Sequence, residues 1–81
     1  MRAAQHWLVG YDPRTELESF ELPIPREMFR VIGTVIRFDD DDPDAIGSYE
    51  LTSVQARRIA SLVRGECLLP PGLDFFLEAH R

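Results

Sequence analysis

Apolar and polar residues alternate at the start of the chain. In Gln5–Asp12 (QHWLVGYD), Trp7, Val9 and Tyr11 fall on one side and His6, Leu8 and Gly10 on the other, the two-residue period of a β-strand. Asp12-Pro13-Arg14-Thr15 has turn chemistry. In Glu16–Ile24 the period of two returns, with Phe20, Leu22 and Ile24 set against Glu21. Two alternating runs around a short turn predict a β-hairpin, with Pro23 and Pro25 ending its second strand.

The period then lengthens. Met28, Phe29, Ile32, Val35 and Ile36 recur every three or four residues, with Arg26, Glu27, Arg30 and Arg37 on the other face. This spacing predicts a helix over 26–36, opened by Pro25 in the first turn. Gly33-Thr34 interrupts it, since an interior glycine costs about 1 kcal/mol relative to alanine. The alternative is a helix that stops at Gly33, with 34–38 as a strand. Asp42-Pro43 marks a loop, and Ser48–Leu51 is a candidate short strand. Thr52 followed three residues later by Gln55 is a capping box. It opens a helix over Ser53–Arg64 that carries Ala56, Ile59, Ala60 and Val63 on one face and stops at Gly65. Leu51 is placed to staple onto Ala56. After the break at Pro70-Pro71-Gly72, Leu73–Ala79 reads as a strand, because phenylalanine favours strands over helices.

The element order is therefore β-β-α-β-α-β. It predicts one α+β domain over residues 1–81, a small antiparallel sheet with two helices on one face. The 44% apolar fraction suits a packed core. A chain of this length has little volume to spare for a deep substrate cavity, which points away from an enzyme. The single cysteine, Cys67, rules out an internal disulfide and fits a reducing cytoplasm. Without a neighbouring histidine or a CxxC spacing, it reads as a semi-buried structural thiol. No apolar run reaches signal-peptide or membrane-spanning length. All nine basic side chains are arginine, and lysine and asparagine are both missing, which suggests a GC-rich bacterial genome.

The net charge of −5 is local. Residues 1–38 are balanced and residues 51–81 carry a small positive excess, whereas Asp39–Glu50 holds six acids and no base. Nucleic acid requires a basic face, so it is not an expected partner. A basic protein is. Calcium was tested by spacing. An EF-hand loop needs oxygen ligands at positions 1, 3, 5 and 12 and glycine at 6. A start at Asp39 puts Pro43 at 5 and Asp44 at 6, and a start at Asp40 puts Leu51 at 12, so neither register serves. His6, His80 and Cys67 are too few for zinc. His6 reads as a rim residue, and His80 lies where chain ends fray. Trp7 is assigned to the core. Arg57–Ser61 (RRIAS) has the look of a phosphorylation site, but its mid-helix position makes it an arginine-lined helix face. No nucleophile elbow, phosphate loop or metalloprotease motif is present. No cofactor is expected.

Three stretches are similar to a family of small acidic bacterial proteins of unknown function: Tyr11-Asp12 in the hairpin, Gly47–Ala56 (GSYELTSVQA) leading into the helix, and Asp74–Glu78 (DFFLE) at the end. Phe75 stands where that pattern has tyrosine, and Pro70-Pro71-Gly72 replaces a more acidic connection. The resemblance implies no catalytic residue. In size and charge such proteins resemble immunity proteins, which neutralise toxins. The expected function is thus non-enzymatic and cytoplasmic: binding of a basic protein partner, in its sharpest form a toxin. Asp39, Asp40, Asp41, Asp42, Asp44 and Glu50 would steer the partner, and Tyr49 would anchor it. The alternative is a structural or accessory domain, homodimeric through an exposed sheet edge, with no ligand chemistry. Neither reading involves nucleic acid or a membrane.

Overall fold

A computed structural model describes residues 5–80. Strands β1 (Gln5–Tyr11), β2 (Glu18–Ile24), β3 (Tyr49–Leu51) and β4 (Asp74–His80) form one antiparallel sheet in the order β2-β1-β4-β3. The α+β class and the antiparallel sheet agree with the sequence reading. The first helix differs. A single 3-10 turn at Arg26–Met28 leads into a four-residue helix α1 (Phe29–Ile32). Beyond Gly33 the chain continues in tight turns, with the Thr34 and Val35 amides donating to the carbonyls of Val31 and Ile32. The Thr34 hydroxyl also donates to the Val31 carbonyl at 2.6 Å. Glycine and a back-bonding threonine thus end the α-helix early, and residues 34–38 are neither helix nor strand. The four-residue spacing still delivers Ile32 and Ile36 to the core.

Helix α2 (Ser53–Arg64) runs over the span its pattern predicts. Thr52 accepts from the Gln55 amide at 3.1 Å, and the Gln55 side chain accepts from the Thr52 amide at 2.9 Å. Gly65 closes it with φ of 81°, a left-handed conformation that costs glycine nothing. Pro23 does not end the second strand, which continues through it to Ile24. β2 lies at a sheet edge, where a missing N–H is tolerated.

The strand pairing sorts every strand residue onto one of two faces. His6, Leu8 and Gly10 of β1 pair with Ile24, Leu22 and Phe20 on one side and with Ala79, Leu77 and Phe75 on the other. This face, joined by Leu51 of β3, packs with Ile32, Ile36, Ala56, Ile59 and Ala60 into the core. Gly10 is required here by close approach: a Cβ would come within 2.9 Å of Leu73 and Phe75. The opposite face carries Trp7, Val9 and Tyr11 beside Phe76 and Glu78, and no helix packs on it among the described residues. Trp7, expected in the core, is half-buried there instead. Cys67 is exposed in the connection after Gly65 rather than semi-buried, because that segment runs out from the end of α2 before Leu69 and Leu73 return to the core. His80 is the last residue of β4, paired with Gln5.

Ile59 is wholly buried and Leu68 is 72% exposed. Ile59→Ala should therefore destabilise the domain by about 3 kcal/mol, and Leu68→Ala by less than about 0.5 kcal/mol. Urea denaturation read by circular dichroism compares the two directly.

Candidate functional site

The acidic segment is an ordered loop, and one of its carboxylates orders it. Asp42 accepts from the backbone amides of Ile46 and Gly47, both at 2.9 Å, and from the Tyr49 hydroxyl at 2.7 Å. The same hydroxyl accepts from the Asp39 amide at 3.2 Å. Backbone bonds from Asp42 to Asp39 and from Ala45 to Asp42 tighten the turn. Ala45 takes a left-handed φ of 51° with its methyl group buried. Three hydrogen bonds to the ionised form, the strongest from Tyr49, hold the Asp42 carboxyl below its ordinary value. In return Asp42 raises the Tyr49 hydroxyl.

The sheet holds the loop from beneath. His6 Nε2 lies 3.1 Å from the carbonyls of both Asp44 and Ala45. Carbonyl oxygens only accept, so Nε2 carries the proton and donates. His6, which reads as a rim residue in the sequence, is therefore the tether between β1 and the loop. A row of rings continues the support: His6 to Phe29 at 4.9 Å, Phe29 to Phe38 at 5.4 Å, Phe38 to Tyr49 at 5.6 Å.

The seven residues singled out in the sequence divide into three groups. Asp39, Asp40, Asp41 and Asp44 are exposed. Arg37 lies 3.9 Å from Asp40, with both side chains in solvent. Asp42 and Tyr49 are half-buried and bonded to each other. Glu50 pairs with Phe76 and so lies on the sheet's other face. The structure brings five aspartates together and leaves Glu50 apart. It also adds Ile46, 65% exposed beside Asp44. No sequence signal distinguished Asp42 from its neighbours, because amide donors four and five residues downstream follow no common motif. Among the described residues, no three His, Cys, Asp or Glu side chains are grouped to hold a metal ion, and no helix is long and apolar enough to cross a membrane.

Residues 5–78 match the family model of a domain of unknown function, DUF7683. The chain belongs to that family. The match is in keeping with the resemblance to an uncharacterised family. No curated protein and no solved structure matches the chain.

Asp42 stabilises the loop only when ionised. Its lowered folded value means the contribution is complete above the ordinary value of 3.8 and is lost as the pH falls through the folded value. Asp42→Asn should thus lower the melting temperature at pH 7, and the gap to wild type should close towards pH 2. Asp41→Asn should track wild type throughout. Thermal unfolding across this pH range is the measurement.

Proposed function

We propose that this is a non-enzymatic protein-binding domain that takes a basic protein on its acidic loop, in its sharpest form an immunity-like inhibitor of a basic toxin in the cytoplasm. The observation that carries this reading is the pinned loop. Asp39, Asp40, Asp41 and Asp44 face solvent on a backbone already held by Asp42 and His6. Charges held in place lose little freedom on binding, and carboxylates of one sign steer a basic partner and speed its encounter. The exposed Ile46, in the same loop, offers apolar surface, while the Tyr49 hydroxyl is engaged by Asp42.

The structural or accessory homodimer has less support. Edge strand β2 contains Pro23 and a bulge, and edge strand β3 is three residues long. Short edges, proline and bulges are features that discourage edge-to-edge pairing.

The test starts from the protein retained from host lysate by immobilised wild type, which is then purified and titrated. Its affinity should fall as salt rises. Changing Asp39, Asp40, Asp41 and Asp44 to Ser should weaken binding by about tenfold or more and flatten that salt dependence. Ile46→Ser should weaken binding and leave the salt dependence intact. An unchanged affinity and salt slope in the fourfold variant would sink the proposal.

A further inference from the structure

All five acidic residues of the strands, Glu18, Glu21, Glu50, Asp74 and Glu78, lie on the face without helices, and no strand carries an arginine. Glu18 joins the set through the bulge. Gly10 pairs with Phe20 but Tyr11 with Glu18, so Ser19 is skipped and Glu18 lands on the side of Glu21. Between the acids runs an apolar strip of Trp7, Val9, Tyr11 and Phe76. Val9 is fully buried although no helix lies over it.

Three details suit this face to a cation. The Tyr11 ring meets Phe76 edge-on at 5.6 Å, and its hydroxyl donates to the Glu78 carboxylate, 2.9 and 2.8 Å from the two oxygens. That bond, ahead of burial, pushes the Tyr11 hydroxyl up to about 12. A cleft of about 300 Å³ opens at this end, lined by residues that include Tyr11, Phe76, Asp12, Glu16, Asp74 and Glu78. The side-chain carboxylates of Glu16 and Asp74 have no hydrogen bond or ion pair among the described residues. Separately from the cation, the buried Trp7 Nε1 has no acceptor among them, an unusual state for an indole N–H, which suits a backbone carbonyl of an incoming segment.

We infer that this open sheet face is a docking surface for an arginine-bearing segment of a partner protein, with a guanidinium seated in the cleft beside Tyr11 and Phe76 and bonded to Asp74 and Glu16. A guanidinium stacks on aromatic rings and takes carboxylates through paired donors, which a lysine ammonium does not. A neutral segment would desolvate five carboxylates without compensation. A second copy stacked face to face would set like charges against each other. The inference rests on the reading of this domain as a binder of basic protein. It adds a contact on the side of the sheet opposite His6 and its loop.

The chain has one tryptophan, and it sits on this face, so its emission reports occupancy. The probe is an end-blocked octa-arginine peptide. Titration should change Trp7 emission saturably. The double variant Glu16→Gln, Asp74→Asn should weaken the apparent Kd about tenfold, while the loop variant with Asp39, Asp40, Asp41 and Asp44 changed to Ser should stay within about twofold of wild type. The double variant relieves repulsion, so it should melt no lower than wild type. An unaltered Kd in the double variant, or loss in the loop variant alone, overturns the inference, and the second result leaves the loop reading standing. Conversely, a face that binds the peptide beside a loop variant that still binds the natural partner would retire the loop and keep the face. Sedimentation completes the test: self-association abolished by the double variant would assign the face to a second copy and overturn the arginine-segment reading.

Discussion

The double pairing of β1 is the constraint on which the rest of the structure depends. This strand hydrogen-bonds to β2 on one side and β4 on the other, and its consecutive residues Leu8 and Val9 are both wholly buried, one on each face. Leu8, opposite Leu22 and Leu77, makes the floor on which the helices pack. Val9, between Glu21 and Phe76, makes the centre of the open face. A slip of one residue would exchange these roles, turning Leu8 out of the core and Trp7, Val9 and Tyr11 towards it, so the register is strongly specified. The same register aims His6 at the acidic loop and Tyr11 at Glu78. Both candidate surfaces are therefore set by one strand.

Within the loop, chemically identical residues act differently. Asp42 is an internal fastener, and its neighbours are display. The division comes from geometry: the chain bends so that the amides of Ile46 and Gly47 and the Tyr49 hydroxyl converge on a single carboxylate. A carboxylate that accepts several hydrogen bonds holds its charge more firmly than one in water. Asp42 therefore holds its proton less readily than an aspartate in water. A segment that composition alone would assign to solvated coil instead has a fixed backbone, anchored by a histidine 38 residues away in sequence.

Local signals were legible in the sequence, and long-range ones were not. Helix α2 was readable to the residue because its start and stop are written by neighbours: Thr52 with Gln55, and Gly65. The two hairpin strands were readable from their period of two, and the last strand from its phenylalanines. The break in the first helix needed the competition between the apolar spacing, which Ile32 and Ile36 satisfy in either geometry, and Gly33-Thr34, which the chain resolved in favour of tight turns. Alternation placed Trp7 and Leu8 on opposite faces but could not say which face the helices would cover. Tryptophan's size argued for the core, yet the helices sit over Leu8. Asp42, His6 and Glu18 take their roles from residues outside any local window, or from a bulge that inverts the expected alternation. That is why the acids looked like one cluster in sequence and form two surfaces in space.

The charge arrangement bears on why such a surface would persist. Glu18 has its carboxyl raised, first by burial against the sheet and then by the neighbouring Glu21 and Glu78. For a raised acid the stabilising contribution exists below the unfolded value and disappears as the pH rises through the folded one. At neutral pH Glu18, Glu21 and Glu78 thus stand as like charges on one face of the sheet. A glutamine in place of Glu18 would keep the bulge and relieve the repulsion, so folding alone does not account for the carboxylate. Among the described residues no arginine lies on a strand, and the basic group that the strands place on the acidic face is the His80 imidazole, 3.4 Å from Glu78. Local sacrifice of stability at a site of interaction is a recurring trade in proteins. On the inference drawn above, a guanidinium arriving from outside would turn the carboxylates that repel one another in the free domain into its ligands. On this view the like-charge repulsion of the face and its proposed binding are one property of the same carboxylates.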